Sequence, residues 1–359
     1  MKLLRVASVA LGSMGWLAVA GSAVAQTLVM SGLDNPRGLA FAPNGALYVT
    51  EAGRGGNQPR PCPRNGAGEE RCYGKSGAIT RLWKGQQSRV VEGLESHALP
   101  DGSSASGPND ISFQGTGGAY ITMGLGGGTD FLEALGGEYF GSLIHMAASG
   151  KWKVVADILQ HEIDENPAGG AVDSNPFGVL AEPAGRLVAD AGANALLRVA
   201  ANGTVETVAV FPPLQNPTGI GPPWIESVPT AVARGPDGAL YVGQLTGFPF
   251  VQGLASIYRL VPGQEPVVHC TGFKAIMDLA FGPDGSLYVV ENATNAFPPP
   301  PPFAPNSGRL SRVGPGCAVT PLLVGLNRPT AVAVGADGAI YVTNNGVTAG
   351  AGEVLRIAP

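Results

Sequence analysis

The most regular set of side chains able to do chemistry in this 359-residue chain is a column of polar residues, each closing a short apolar run. The column reads Glu51, Asp190, Gln244, Glu291 and Asn344, with Met123 in the same register. Asn194, Asn292 and Asn345 stand beside it. Asn109, Asp110 and Asp278 stand at the starts of neighbouring runs. If these runs end at one surface, Glu51, Asp190, Glu291 and Asn344 offer oxygen ligands for Ca2+ or another hard divalent cation. The same residue types also cap strand ends and satisfy loop amides. Spacing alone leaves both readings open. His97, His145, His161 and His269 are far apart and form no HxH or HExxH pair. There is no GxSxG elbow, and the glycines of 124–128 lack the lysine of a phosphate loop. His161, Glu162, Asp164 and Glu165 form either an acid–base cluster or a solvated acidic loop.

The elements that must position these residues come from an internal repeat. One unit is a turn, an apolar run, a tight glycine turn and a second apolar run, first seen from Asn35-Pro36-Arg37-Gly38 to Tyr48-Val49. Further copies start at Pro108, Pro176 and Pro229, contain Asp278-Leu279-Ala280-Phe281, and start again at Pro329. Three of them share a Gly-x-Asp-Gly turn, at Gly235, Gly282 and Gly335. Each copy continues into a third and a fourth strand, as at 78–83 and 88–91. Six units of four short antiparallel strands predict an all-β, six-bladed β-propeller. The last copy lacks a fourth strand and residues 27–31 are a spare one, so 27–31 is expected to close the ring. Residues 131–135 are the one stretch with a helical look.

Labelling the strands A to D, the A–B and C–D turns are short and the B–C and D–A connections carry the insertions. The long loops are 54–76, 124–141, 245–255 and 292–308 (B–C), and 95–107, 160–174 and 212–227 (D–A). All belong to one face of the disc, where function is expected. They carry aromatics, among them Phe248, Phe250, Phe297 and Phe303, and a stiff run of five prolines at 298–302. An aromatic-lined cleft over the tunnel suits a small organic ligand. Asn109, Asp110, Phe177, Gln244, Phe248, Phe250 and Asp278 are the candidate ligand-binding residues.

Composition agrees with a folded chain: 44% of residues are apolar, and glycine (54) and proline (31) make about a quarter. Net charge is −5 and no basic block exists, which argues against a nucleic-acid partner. Lys2 and Arg5, the apolar stretch to Val24 and Ala23-Val24-Ala25 read as a signal peptide cut after Ala25. Residues 26–359 then form a single secreted or periplasmic domain with no membrane span, expected as a monomer. Export permits disulfides. Cys62 and Cys72 lie ten residues apart and are expected to bridge. Cys270 reads as the close of strand D in blade four and Cys317 as the start of strand D in blade five, on opposite faces, so these two are expected to stay unbridged.

Segments 32–53, 72–79, 172–180, 187–199, 241–250, 278–289 and 341–354 resemble the ScyD/ScyE family, exported bacterial proteins named from gene clusters for the sunscreen scytonemin. The proline run and Cys270 and Cys317 depart from that pattern. The resemblance implies a six-bladed propeller and no reaction. Wider similarity to gluconolactonase-like propellers, in which Glu, Asn and Asp hold a metal over the tunnel, is one of fold. Three readings follow: a small-molecule-binding propeller linked to envelope or secondary-metabolite biosynthesis, a metal-dependent hydrolase or lactonase, or a protein-interaction scaffold.

Overall fold

The structure, a computed structural model, describes residues 25–57, 62–116, 118–297 and 301–358. The expected signal peptide therefore lies outside the described residues except for Ala25, as do residues 298–300 of the proline run.

Six four-stranded antiparallel sheets follow one another along the chain. Blade one is Pro36–Phe41, Leu47–Glu51, Cys72–Trp83 and Gln86–Ala98. Blade two is Pro108–Phe113, Ala119–Met123, Ser142–Met146 and Trp152–Asp157. Blade three is Pro176–Glu182, Gly185–Asp190, Ala195–Val199 and Val205–Val210. Blade four is Pro229–Arg234, Leu240–Gln244, Ala255–Leu260 and Val267–Phe273. Blade five is Ile276–Phe281, Leu287–Glu291, Gly308–Val313 and Val319–Leu326. Blade six is Val332–Val334, Ile340–Asn344 and Gly352–Ile357, with Gln26–Leu33 as its outer strand. That outer strand pairs from Gln26 with Ile357 to Leu33 with Gly352, so the ring closes as the repeat required and the strand is longer than 27–31.

The A strands touch one another in sequence around the axis, and blade six returns to blade one. Apolar side chains fill every gap between neighbouring blades. Ile79 and Val91 meet Ile111 and Ile121 between blades one and two. Met30, Leu33 and Val354 meet Leu39 and Val49 where the ring closes. Hydroxyls add polar ties across the same gaps: Thr50 to Asn109 O (2.9 Å), Thr122 to Phe177 O (2.7 Å), Thr230 to Ile276 O (2.7 Å) and Thr330 to Pro36 O (2.7 Å). Each such buried bond is worth about 1 kcal/mol.

The Gly-x-Asp-Gly turns work through their aspartates. Asp237 Oδ1 accepts from the Ala239 N–H, while Oδ2 pairs with Arg259 of strand C at 2.7 Å. Asp337 does the same with Ala339 and Arg356. Gly238 and Gly338 have φ of 78° and 79°, where a Cβ is strained.

Two features differ from the sequence reading, and one agrees with it. The outer hairpin of blade one runs on to Cys72 and Ala98, through stretches read as loops, and the 52–57 segment packs against it: a Cβ on Gly74 would lie 2.4 Å from Gly55 O. Ile158–Glu165 is a helix capped by Asp157, whose side chain accepts from Gln160 N–H at 2.9 Å. Thr129–Leu135 is the expected helical turn, buried through Phe131 and Leu135.

The third difference is a correction. Cys62–Cys72 is bridged as expected, but Cys270–Cys317 is bridged too, with Cα atoms 5.6 Å apart. Strand D of blade four does not end at Cys270. It continues to Phe273, with Cys270 opposite Ile257, so Cys270 sits mid-strand. Cys317 lies in the 3-10 turn Pro315–Cys317 that precedes strand D of blade five, and that turn packs on strand D of blade four. The unbridged reading failed because it put Cys270 at the end of a strand that runs three residues further and Cys317 inside a strand that begins only at Val319, so it missed the turn that folds over blade four.

Candidate ligand-binding site

Each A strand of blades one to five begins with a register shift just after its first residue, as between Pro36 and Leu39, Pro108 and Ile111, and Ile276 and Asp278. A bulge re-aims the side chain beside it. The residue following the copy's first position is thereby turned to the axis. In these five blades this is Arg37, Asn109, Phe177, Thr230 and Met277; with Thr330, which precedes strand A of blade six, they line the narrow channel at the centre of the ring.

Above the channel, on the loop-bearing face, a cavity of about 250 Å³ opens to solvent. All six blades or their connections reach it. Blade one gives Arg37 and Arg71, blade two Asn109, blade three Phe177, blade four Phe250, blade five Phe303, and the approach to blade six Arg328. A larger groove of about 430 Å³ lies on the other face, between the turns of blades one and two, and carries Arg81 as its one charged side chain.

The three arginines define the electrostatics of the mouth. Arg37 donates to Ala105 O and Arg71 to Ser104 O (2.7 Å). The guanidinium of Arg328 lies 4.4 Å from the centre of the Phe303 ring, and that ring is 4.5 Å from Phe250. All three Nε atoms are buried without a partner. Glu69, half exposed and 3.3 Å from Arg71, is the one carboxylate paired with any of them among the described residues. Burial pulls the Arg37 pKa down to about 10, with Arg328 and Arg71 adding repulsion. Burial also lowers Arg71 and Arg328. Lys274 adds a fourth cation at the edge: its ammonium donates to Asn295 O (2.6 Å) and Pro302 O, and burial, then Arg328, lowers it to about 8. All four stay protonated at neutral pH.

Asp110 and Asp278 lie lower, in the channel. Each ties its blade to the next, Asp110 accepting from Val179 N–H and Asp278 from Val332 N–H, both at 2.8 Å. Burial raises Asp110 to about 7. Asp278 is raised well above the usual carboxylate range by burial and by Asp110. The pair is therefore reluctant to carry two charges.

Asn109, Phe177 and Phe250 of the expected set meet at the mouth, with Asp110 and Asp278 beneath them. Gln244 does not join them. It is buried in blade four, donating to Ser227 and accepting from Ser256 N–H at 3.0 Å. Phe248 is 44% exposed and stacks edge-on to Phe250 and Phe297, away from the cavity lining.

The expected metal set is dispersed among the blades. Glu51 accepts from Asp34 N–H (2.7 Å) and pairs with Arg89 (2.7 Å). Asp190 accepts from Asn175, Gly192 and Ala193 N–H groups and from Ser174. Glu291 accepts from Lys274 N–H (2.9 Å) and pairs with Arg309. Asn344 accepts from Asn327 N–H (2.7 Å). Among the described residues, the one group of three His, Cys, Asp or Glu ligand atoms within 4.8 Å of one another is His269, Cys270 and Cys317, whose two sulfurs are joined in a disulfide. His161 bonds Thr207 Oγ1 (2.9 Å), while Glu162 of the same helix is buried and raised to about 7 by burial, then by Asp190.

Sequence reasoning missed Arg37, Arg71 and Arg328. A signal for Arg37 existed: aligning the six copies on their first position and reading the next residue gives the channel ring directly. Arg71 and Arg328 come from connections outside that register, so no periodicity marks them.

No family model matches the chain, and no curated protein matches it. Solved structures share its fold. A protein assigned as a gluconolactonase aligns over 94% of this chain and 93% of its own, at 12% identity and a TM-score of 0.55. A catalytically inactive virginiamycin B lyase from Staphylococcus aureus, with quinupristin, covers 94% and 99% at 12% identity and a TM-score of 0.52. An oxidoreductase assigned as a glucose dehydrogenase, from Thermus thermophilus, covers 93% and 99% at 20% identity and a TM-score of 0.53. These likenesses establish the six-bladed propeller.

Proposed function

We infer that the protein binds a small organic molecule in the cavity at the loop-bearing mouth of the ring. The observation that carries this reading is the convergence of all six blades on one 250 Å³ cavity, aromatic on one side and cationic on the other. Such a mixture of apolar walls and a few fixed polar groups is what small-molecule sites present. The volume lies below the ~300–1,000 Å³ of drug-sized sites, so the ligand is of about single-ring size. A fold neighbour described with quinupristin offers an analogy in which a propeller of this kind holds an organic ligand. Two disulfides support an oxidising compartment, in keeping with an exported protein of the ScyD/ScyE type. No helix among the described residues is long and apolar enough to cross a membrane.

A metal-dependent hydrolase fits the residues less well. Glu51, Asp190 and Glu291 are each engaged by a backbone N–H just before their own blade begins, and three guanidinium groups at the mouth oppose a divalent cation there. The test is a thermal-shift screen of single-ring organic compounds on the wild type and on Phe303→Ala. Stabilisation that Phe303→Ala abolishes is the expected result. In parallel, metal content and turnover of lactones and esters are measured with and without chelator. Stoichiometric metal with chelator-sensitive turnover would replace this reading with the hydrolase.

A further inference from the structure

Elsewhere in the blades, five arginines have acids to match, while Arg81, Arg186, Arg198 and Arg312 have no carboxylate in ion-pair reach among the described residues. Arg89 pairs with Asp34 and Glu51, Arg234 with Glu182, Arg259 with Asp237, Arg309 with Glu291 and Arg356 with Asp337. The mouth differs in bringing three arginines together. Among the described residues Arg37 and Arg328 have no carboxylate partner, Arg71 has a half-exposed one, and the three side chains share one cavity wall. An unpartnered Nε is not by itself the signal, because Arg81 and Arg186 also have one. Those two stand singly, Arg186 against the Tyr120 ring at 4.1 Å and Arg81 in the groove of the opposite face.

We propose that the ligand is an organic anion, a carboxylate or a phosphate or sulfate ester, whose charged head sits among Arg37, Arg71 and Arg328 and whose ring lies against Phe303, Phe250 and Phe177. This rests on the mouth cavity being the ligand site. Guanidinium groups present forked N–H donors that match planar or tetrahedral oxyanions. The stacking of Arg328 on Phe303 fixes the plane of that fork at the border between the polar and aromatic walls. Three converging cations repel one another in the free protein, and an anion relieves that repulsion as it binds. The carboxyls beneath do not serve as the counter-ion: Asp110 and Asp278 are spent on backbone N–H groups, and no ion pair links them to Arg37. A neutral ligand of the same shape would leave the arginines unsatisfied and gain nothing from their placement.

The test uses benzoate and phenyl phosphate against neutral benzamide, by calorimetry at constant ionic strength, with inorganic sulfate as competitor. The full chain is compared with Arg37→Met, Arg328→Gln, Arg328→Lys and Phe303→Ala. Expected is at least about tenfold tighter binding of the anions than of benzamide. Arg37→Met and Arg328→Gln should each lose about tenfold for the anions with little change for benzamide, Arg328→Lys should recover part, and sulfate should compete. Equal binding of benzoate and benzamide, lost in Phe303→Ala but unmoved by the arginine variants, overturns the anion and leaves the cavity reading standing. Anion binding that neither the phenylalanine nor the arginine variants alter overturns both, and so does the absence of any binding. Should Arg37→Met fail to fold, Arg328→Gln and Arg328→Lys decide the question alone, because Arg328 lies in a connection outside the strands.

Discussion

Arg37→Met separates a structural arginine from one kept for a ligand. In the folded protein the Arg37 pKa stands at about 10 against an ordinary 12.5, because the guanidinium is buried and faces Arg328 and Arg71. At about 1.4 kcal/mol for each pH unit, holding this charge costs the free fold on the order of 3 kcal/mol. Methionine removes that cost and keeps an apolar stem of similar length. It also removes the bond to Ala105 O, and leaving that carbonyl unpaired costs about 1–3 kcal/mol. The balance is a variant equal to the wild type or more stable by up to about 2 kcal/mol. A lowered folded-state pKa on a base penalises the charged form at every pH below about 10 and is relieved only above it. The gain should therefore be flat between pH 5 and 9. Urea unfolding at those pH values, in chloride and in sulfate of equal ionic strength, measures it. Sulfate should stabilise the wild type by mass action on the native state and the variant less. A variant destabilised by more than about 2 kcal/mol that keeps the full sulfate response would show that Arg37 holds the fold and not a ligand.

Burial raises Asp110 to about 7 and lifts Asp278 well above the carboxylate range, so the folded state binds protons the unfolded chain does not. Stability should fall as pH rises from about 4 to 7, and Asp278→Asn should flatten that slope in urea midpoints taken across the range; an unchanged slope would remove the pair from the account. Glu162 and Asp173, raised to about 7 and about 6 by burial, then by Asp190, leave a residual slope of the same sign. Non-reducing peptide mapping should yield a Cys270–Cys317 crosslink, and serine at both positions should cost about 4 kcal/mol for a loop of 47 residues; two free thiols in the map would contradict the turn geometry of blade five. Deleting residues 26–31 removes the strand that pairs with Gly352–Ile357, exposes the edge of blade six and should give aggregation at micromolar concentration, whereas a monomeric, cooperatively unfolding product would show that the ring closes without it.

The ring was legible because its signals are local and repeated. Period-two apolar runs and Gly-x-Asp-Gly turns recur at a spacing that one blade sets, and a count of strands exposes the spare one at the N-terminus. The face that carries the loops followed from the same register. What escaped depends on offsets of one to three residues. The bulge at the start of strand A is invisible in a hydrophobic pattern, yet it decides which side chain meets the axis. Cys270 and Cys317 were displaced by a similar margin. The helix Ile158–Glu165 buries Ile158, Leu159 and Glu162, too few apolar positions to raise a helical period. Arg71 and Arg328 belong to connections whose paths no propensity fixes.

The polar column at the ends of the B strands explains why the most regular chemistry in the sequence is not the site. Glu51, Glu291 and Asn344 each accept the backbone N–H of the residue 17 positions earlier, and Asp190 that of the residue 15 earlier. In every case the donor lies just before strand A, where the chain crosses from one blade to the next and leaves the ladder. A buried N–H there needs an acceptor, and the end of strand B is the nearest rigid point from which a carboxylate or amide can reach it. The requirement recurs in blades one, three, five and six, and an acceptor recurs with it there, while Met123 and Gln244 stand outside it. The ring at the position after each copy's first residue varies more, reading Arg37, Asn109, Phe177, Thr230, Met277 and Thr330, and although Asn109, Thr230 and Thr330 also tie to the next blade, Arg37, Phe177 and Met277 do not share that bond. In a repeat fold the shared positions serve the scaffold, and the positions that differ from copy to copy are where one ligand can be met by six different side chains.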